Sequence, residues 1–226
     1  MDKIAVIIPC YNEEQTIRKV IEDYRHILPE AAIYVFDNAS TDNTAILSHQ
    51  AGAVVKTVEE KGKGNVIREA FKTINAECYL IVDGDDTYPP SIARMMCDYV
   101  LHNGYHMVSA DRLSTTYFSE NKRLFHNVGN IMVRTLVNLL YHGHVKDVMT
   151  GYRAISYQFA KSFVPMHNGF EIETEMTIYC LKNNLYIFEL PAIYRDRAPG
   201  SKSKLNTLID GCKILKTIIS MYSTKN

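Results

Sequence analysis

Short apolar, β-branched runs recur through the first half of the chain at Ile4 to Pro9, Ile33 to Asp37, Ala53 to Val58, Tyr79 to Val82 and Met107 to Ala110. Between them lie longer stretches in which apolar residues return every three or four positions, the spacing of an amphipathic helix. Glu13 to Leu28 is the clearest: Ile17, Val20, Ile21 and Tyr24 share one stripe, and Pro29 ends it. Gly64 to Asn75 and Pro90 to His102 repeat the pattern, the second stopped by Asn103-Gly104. Strand and helix in alternation predict an α/β fold with a central, mostly parallel sheet flanked by helices. The second half changes character, with long helices expected at Arg123 to Tyr141, Glu171 to Asn183 and Leu205 to Tyr222. In the last of these, Leu205, Leu208, Ile209, Cys212, Leu215, Ile218 and Ile219 fall on one face, for packing against the domain or docking at a membrane surface.

With 226 residues, 46% of them hydrophobic, the chain is long enough for a full-sized core in one domain spanning 1–226. Its 25 basic and 25 acidic residues cancel, which argues against a nucleic-acid partner and leaves phosphate binding to local charge. Cys10, Cys78, Cys97, Cys180 and Cys212 are scattered without metal-type spacing, as expected of reduced thiols in a cytoplasmic protein. The N-terminal apolar stretch is too short for a signal peptide, and no run approaches the ~20 apolar residues that span a bilayer. His142-Gly143-His144 lacks nearby acidic or cysteine partners and reads as a helix-ending loop.

Candidate chemistry concentrates where predicted strands end. The run YLIVDGDDTYPP turns from apolar to Asp83-Gly84-Asp85-Asp86. Asp83 and Asp85, two apart after a buried strand, repel one another unless a hard cation such as Mg²⁺ or Mn²⁺ joins them, and Gly84 lets backbone and ligand approach. The same residues also make an ordinary turn. In an open α/β sheet ligands bind beyond the carboxyl ends of the strands, which is where Asn12, Asp37 and Asp83 are placed. An ionised Asp37 is acceptor-only, suited to the imino N–H of uracil or the ring N–H of guanine. Lys61-Gly62-Lys63-Gly64 before a helix offers backbone N–H groups and ammonium charge to phosphate, or is a solvated loop.

Taken in order, IPCYNEE, FDNASTDNTA, EKGKGNVIREA and VDGDDTYPP, followed by DVMTGYRAIS, NGFEIETEM and YRDRAPGSKSKLNT, cover nearly the entire chain. The set resembles the family 2 glycosyltransferases of GT-A (nucleotide-diphospho-sugar transferase) fold, and within them the polyprenyl-phosphate sugar transferase, or dolichol-phosphate mannose synthase-like, branch. The resemblance implies a nucleotide-sugar-binding half at 1–110 and an acceptor-binding half at 111–226. It implies metal-assisted, inverting transfer of a hexose-type sugar from a UDP-, GDP- or dTDP-sugar to a polyprenyl phosphate, dolichyl or undecaprenyl. It also implies peripheral contact with the cytoplasmic membrane face, and leaves the oligomeric state open.

By the same resemblance Pro9, Tyr11, Glu13, Asp37 and Lys63 shape the donor pocket, Asp83 and Asp85 hold the metal, and Arg197 and Lys202 contact the donor diphosphate. Glu13 also suits the first turn of a helix as a plain favourable charge. Arg195 and Lys204 are expected to be solvent-exposed. Arg112, Arg123 and Asn127 match positions that hold the acceptor phosphate, a task suited to the planar fork of arginine, although related proteins often carry a hydroxyl residue where Asn127 stands. Many relatives that glycosylate hydroxyls carry a carboxylate near an acidic-x-x-Arg-Trp motif, and this chain has no tryptophan. A phosphate acceptor is already anionic and needs no base. Asp147 is expected on the acceptor side, fixing Arg153 or a backbone turn. The alternatives are a sugar-hydroxyl acceptor in polysaccharide or lipopolysaccharide assembly, with Glu171, Glu173 or Glu175 as base, and a nucleotide-sugar-binding module without turnover.

Overall fold

In the computed structural model, residues 1–117, 124–197, 204 and 206–223 are described, the side chains of 124–126 excepted. They form a seven-stranded sheet in the order β3-β2-β1-β4-β6-β5-β7. The strands are β1 (Asp2–Cys10), β2 (Ala32–Asp37), β3 (Val54–Thr57), β4 (Ala76–Ile81), β5 (Met107–Asp111), β6 (Arg153–Ser156) and β7 (Ile187–Pro191). All neighbours run parallel except β6, which pairs antiparallel with both β4 and β5. The helices are α1 (Ile17–Ile27), α2 (Thr44–Gln50), α3 (Lys63–Thr73), α4 (Ala93–Asn103, after a 3₁₀ turn at Pro90–Ile92), α5 (Leu124–Tyr141), α6 (Tyr157–Ser162), α7 (Glu171–Lys182) and α8 (Thr207–Ser223).

Strand β1 shows why the first half reads as continuous apolar runs. Ile4, Val6 and Ile8 face one side and pack with Ile17, Ile21 and Tyr24 of α1 and Met96 of α4. Ala5 and Ile7 face the other, against Val66, Ile67 and Ala70 of α3. A strand covered on both faces needs apolar residues at every position, and each fully buried aliphatic side chain contributes about 1.5–3 kcal/mol. A third cluster joins Val133 and Val137 of α5, Ile178 of α7, and Ile214, Ile218 and Met221 of α8.

The structure corrects several expectations. Helix α1 begins at Ile17 rather than Glu13, because residues 11–16 are turns tied to the next loop. Strands β6 and β7 and helices α2 and α6 were not anticipated, being short or only partly apolar. Helix α8 is rotated from the expected stripe: Asp210, Ile214, Thr217, Ile218 and Met221 are buried, while Leu208, Ile209, Cys212 and Ile219 are exposed. Asp210 tolerates burial because its carboxylate accepts the Asn206 N–H at 2.8 Å, at the start of the helix. The expected loop at 142–144 is confirmed, with His142 in the left-handed conformation (φ 52°) and the Gly143 N–H donating to the Asn138 carbonyl at 3.1 Å. Among the described residues no helix is long and apolar enough to cross a membrane.

Two glycines on helices predict opposite responses to alanine. At Gly64 a Cβ would land inside the envelope of the His167 carbonyl oxygen, whereas at Gly211 it would meet nothing within 4 Å. Gly64→Ala is expected to cost about 1–3 kcal/mol through overpacking. Gly211→Ala should gain up to about 1 kcal/mol from helix propensity. Urea denaturation of the two variants reads both signs.

Candidate active site

Three loops meet at the carboxyl edge of the parallel strands. After β1, Asn12 adopts a left-handed conformation (φ 54°), its N–H donating to Ser40 Oγ at 2.9 Å and its Oδ1 accepting the Thr41 N–H at 2.8 Å. The Glu13 N–H donates to Thr44 Oγ1 at 2.8 Å, so the loops after β1 and β2 are zipped together. Asp37, the last residue of β2, is buried; its Oδ2 accepts the Ser40 N–H at 3.3 Å and its Oδ1 finds no partner among the described residues. An unsatisfied buried acceptor costs about 1–3 kcal/mol, and an N–H from a ligand would relieve it. Pro9, half-buried, pairs in register with Phe36. Lys61 Nζ donates to the Tyr11 hydroxyl at 2.9 Å and lies 4.5 Å from its ring centroid.

Both glycine amides of the glycine-rich loop are already taken by the protein. The Gly62 N–H donates to Asn38 Oδ1 at 2.6 Å and the Gly64 N–H to the Asn168 carbonyl at 2.8 Å. What it delivers is the Lys63 ammonium, buried between Asp83 Oδ1 at 2.5 Å and Glu173 Oε1 at 2.7 Å. Burial works against the charge on Lys63, but the two carboxylates outweigh it and raise its pKa. The Asp83 side chain remains 28% exposed toward the cleft. Gly151, just before β6, lies so close that a Cβ there would be 2.5 Å from Asp83 Oδ2 and 2.7 Å from Lys63 Nζ. Gly84 serves a similar end: a Cβ would be 2.7 Å from Cys10 Sγ, so its bareness admits the neighbouring strand end rather than a ligand.

Asp85 is fully engaged. Its Oδ1 accepts the Thr87 hydroxyl at 2.7 Å and the Thr87 N–H at 3.3 Å, while its Oδ2 accepts Arg197 Nε at 2.8 Å and NH2 at 2.6 Å. Asp86 (φ 58°) turns away to Lys19 Nζ at 2.9 Å and Arg195 NH1 at 3.7 Å. Lys204 reaches back to Glu13 Oε1 at 2.7 Å and the Asn12 carbonyl at 3.1 Å; Arg195 and Lys204 are exposed, as expected, and each also meets a carboxylate. Burial, partly offset by Lys204, pushes the Glu13 carboxyl up to about 7. Among the described residues no three His, Cys, Asp or Glu side chains cluster as a complete metal cage. The donor set nevertheless fits a hard cation, since such ions are held by one or two carboxylates and complete their shell with substrate phosphates. A cationic guanidinium already lies against the outward oxygen of Asp85.

On the acceptor side, the fork of Arg112 is not open to a phosphate. Its Nε and NH2 donate to Asp147 Oδ2 and Oδ1 at 2.7 and 2.9 Å, and NH2 also to the Met149 carbonyl at 2.7 Å. The guanidinium is buried among Tyr117, Tyr194 and Tyr88, with NH1 making no hydrogen bond among the described residues. Asp147 therefore fixes Arg112 and not Arg153. Arg153, fully buried, donates instead to the Thr150 and Val148 carbonyls and to Thr177 Oγ1, knitting the 148–150 turn to α7. Asn127 lies in the first turns of α5, half-buried. Arg123 and Lys202 lie outside the described residues. The three glutamates of α7 diverge. Glu175 accepts the Met166 and His167 N–H groups, Glu173 holds Lys63, and Glu171 keeps a buried Oε2 with no partner among the described residues. Glu171 also lines a cavity of about 500 Å³ with Lys61, His167, Lys204 and Lys213. For Glu173 the sequence offered only a place among three candidate bases; its pairing with Lys63 was hidden by a separation of 110 residues.

The chain matches the family described as Glycosyl transferase family 2 over residues 5–163. It is 34% identical over 226 residues to Glycosyltransferase AglJ of Haloferax volcanii, covering all of this chain and 74% of that one. It is 30% identical over 220 residues to the Dolichyl-phosphate hexose transferase of the same organism, covering 97% of this chain and 94% of that one. Its fold matches glucosyl-3-phosphoglycerate synthase from Mycobacterium tuberculosis, solved in complex with Mn²⁺, uridine diphosphate and glucosyl-3-phosphoglycerate. The TM-score is 0.79 at 19% identity, over 100% of this chain and 81% of that one. With the matched region spanning the sheet edge where Glu13, Asp37, Asp83 and Asp85 converge, the protein belongs to glycosyl transferase family 2 and is a glycosyltransferase of GT-A fold.

Proposed function

We propose that this enzyme moves a hexose-type sugar from a nucleotide-sugar to a polyprenyl phosphate, with inversion at the anomeric carbon. The observation that carries the donor half is the pairing of a buried acceptor unsatisfied among the described residues, Asp37 Oδ1, with the acidic pair Asp83 and Asp85 on one sheet edge. Similarity over almost the full length of a relative named for dolichyl-phosphate hexose transfer supports the acceptor half.

In this reading Asp37 accepts the base N–H, the Tyr11 ring walls the base beside Pro9, and Glu13 accepts a ribose hydroxyl. Asp83 and Asp85 hold Mg²⁺ or Mn²⁺, which when bound supplies Lewis-acid neutralisation of the departing nucleoside diphosphate. Lys63 fixes the orientation of Asp83, and Arg197 and Lys202 share the charge of the diphosphate. A phosphate oxygen of the lipid attacks the anomeric carbon in line as the bond to the diphosphate oxygen breaks. In this reading Arg112, whose NH1 makes no hydrogen bond among the described residues, acts with Arg123 and Asn127 on the acceptor phosphate. Exposed Val128, Ile131, Met132 and Leu139 of α5 and Leu208, Ile209 and Ile219 of α8 suit contact with the cytoplasmic membrane face. Under this reading residues 1–110 form most of the donor site, and 111–226 form the acceptor site while lending Arg197 and Lys202 to the donor diphosphate.

One observation favours a second reading. Glu171 keeps a buried oxygen unclaimed among the described residues beside the cavity, as a base for a sugar-hydroxyl acceptor would.

Incubation with a UDP-, GDP- or dTDP-hexose, Mn²⁺ and a short polyprenyl phosphate is expected to give a lipid-linked sugar by thin-layer chromatography. Asp85→Asn should lower turnover by at least about a hundredfold. Donor binding without lipid product from any donor sinks the acceptor assignment. Glu171→Gln separates the two readings: phosphate-acceptor turnover should hold within severalfold, whereas a hydroxyl acceptor would lose about 10²–10⁴-fold. Because the Glu13 carboxyl titrates at about 7, it is ionised above that pH and accepts a ribose hydroxyl best there. Nucleotide affinity should therefore rise between about pH 6 and about pH 8, and Glu13→Gln should flatten the rise in calorimetric titrations.

A further inference from the structure

Every oxygen of Asp85 is claimed by the protein itself. Oδ1 takes both Thr87 donors, and Oδ2 takes two donors from a single guanidinium, Arg197 Nε at 2.8 Å and NH2 at 2.6 Å. The side chains are 5% and 27% exposed, so the pair is sheltered from the screening that weakens surface ion pairs. A divalent ion ligated by Oδ2 would lie about 2.0–2.2 Å from that oxygen, where it competes with the guanidinium for the same lone pairs.

Arg197 is also placed to change partners without leaving the site. The Arg195 N–H donates to the Thr87 carbonyl at 3.0 Å, anchoring the segment two residues earlier to the loop that carries Asp85. Nε and NH2 of Arg197 hold Asp85, while NH1 makes no hydrogen bond among the described residues. Glu13, in the neighbouring loop, is held in the same way by Lys204 at 2.7 Å. Cations of the segment after β7 thus stand on carboxylates of both donor-side loops.

We propose that Arg197 is the resident counter-ion of Asp85, which a divalent metal must displace, so that metal and nucleoside diphosphate bind interdependently. The diphosphate draws Arg197 off Oδ2 and opens it to the metal. By linkage, the factor by which diphosphate tightens metal binding equals the factor by which metal tightens diphosphate binding. Arg197 is here a positioning residue, and the inference rests on the donor-site reading given above. A merely structural Arg197 would leave metal affinity unchanged when replaced.

The test is the free-Mn²⁺ signal in electron paramagnetic resonance, titrated with the purified full chain and corrected with protein-free nucleotide blanks. R197Q is expected to bind Mn²⁺ alone about tenfold tighter than the unaltered protein, and UDP, GDP or dTDP should tighten Mn²⁺ binding less in R197Q than in the unaltered chain. Arg197→Lys, which keeps the charge without the fork, should fall between. Arg195→Gln, whose guanidinium lies 3.7 Å from Asp86, should match the unaltered protein, and thermal melts confirm that each variant is folded. Unchanged or weaker Mn²⁺ affinity in both Arg197 variants, while nucleotide still promotes Mn²⁺ binding to the unaltered chain, overturns the counter-ion role and leaves the donor site standing. Failure of every protein to retain Mn²⁺ with any of the three nucleotides overturns both.

Discussion

Adjacent parallel strands that end in acidic loops impose a charge problem on this protein. Because β1 and β4 pair directly, Glu13 and the Asp83–Asp86 tetrad are delivered to one edge, and α7 adds Glu173 from the side. Carboxylates gathered in a partly dry cleft repel one another more strongly than in water. The fold answers with its own cations: Lys63 between Asp83 and Glu173, Arg197 on Asp85, Lys19 on Asp86 and Lys204 on Glu13. Burial nonetheless lifts the Glu13 carboxyl to about 7 despite Lys204.

The same requirement shapes the backbone around the cleft. Strand β6 runs antiparallel between β4 and β5, so the turn that precedes it reaches the carboxyl edge, and Gly151 passes against Asp83 and Lys63 with no room for a Cβ. That turn is held from below by Arg153, whose donors satisfy the Thr150 and Val148 carbonyls. It is held from the side by Glu189 of β7, which accepts the Lys146 and Asp147 N–H groups. Asp147 in turn holds Arg112 within its ring of tyrosines. A partly satisfied buried network would be costly, and here the chain from β7 through Asp147 to Arg112 is closed by hydrogen bonds at each link.

Much of the donor half was legible in the linear pattern. Strands β1 and β4 are covered on both faces and so read as unbroken apolar runs, and the residues at which those runs stop are the ones that line the cleft. The second half was less legible. Strands β6 and β7 are four and five residues long and only partly apolar. Helix α8 buries Asp210 and Thr217 while exposing Leu208 and Ile219, because its neighbours α5 and α7, rather than its own stripe of apolar residues, set its rotation.

The sequence by itself determined the fold class, the order of the strand-end motifs and the edge of the sheet on which the chemistry lies, since local periodicity and the polarity of strand termini are properties of consecutive residues. Only the tertiary structure decided which charges meet. Lys63 finds Glu173 across 110 positions, and Arg197 finds Asp85 across 112. Arg112 gives its fork to Asp147, and Gly62 and Gly64 pass against the backbone of residues 167–168. Ion pairs of that reach leave no trace in periodicity, because the partners are chosen by which loops the sheet brings to the same edge.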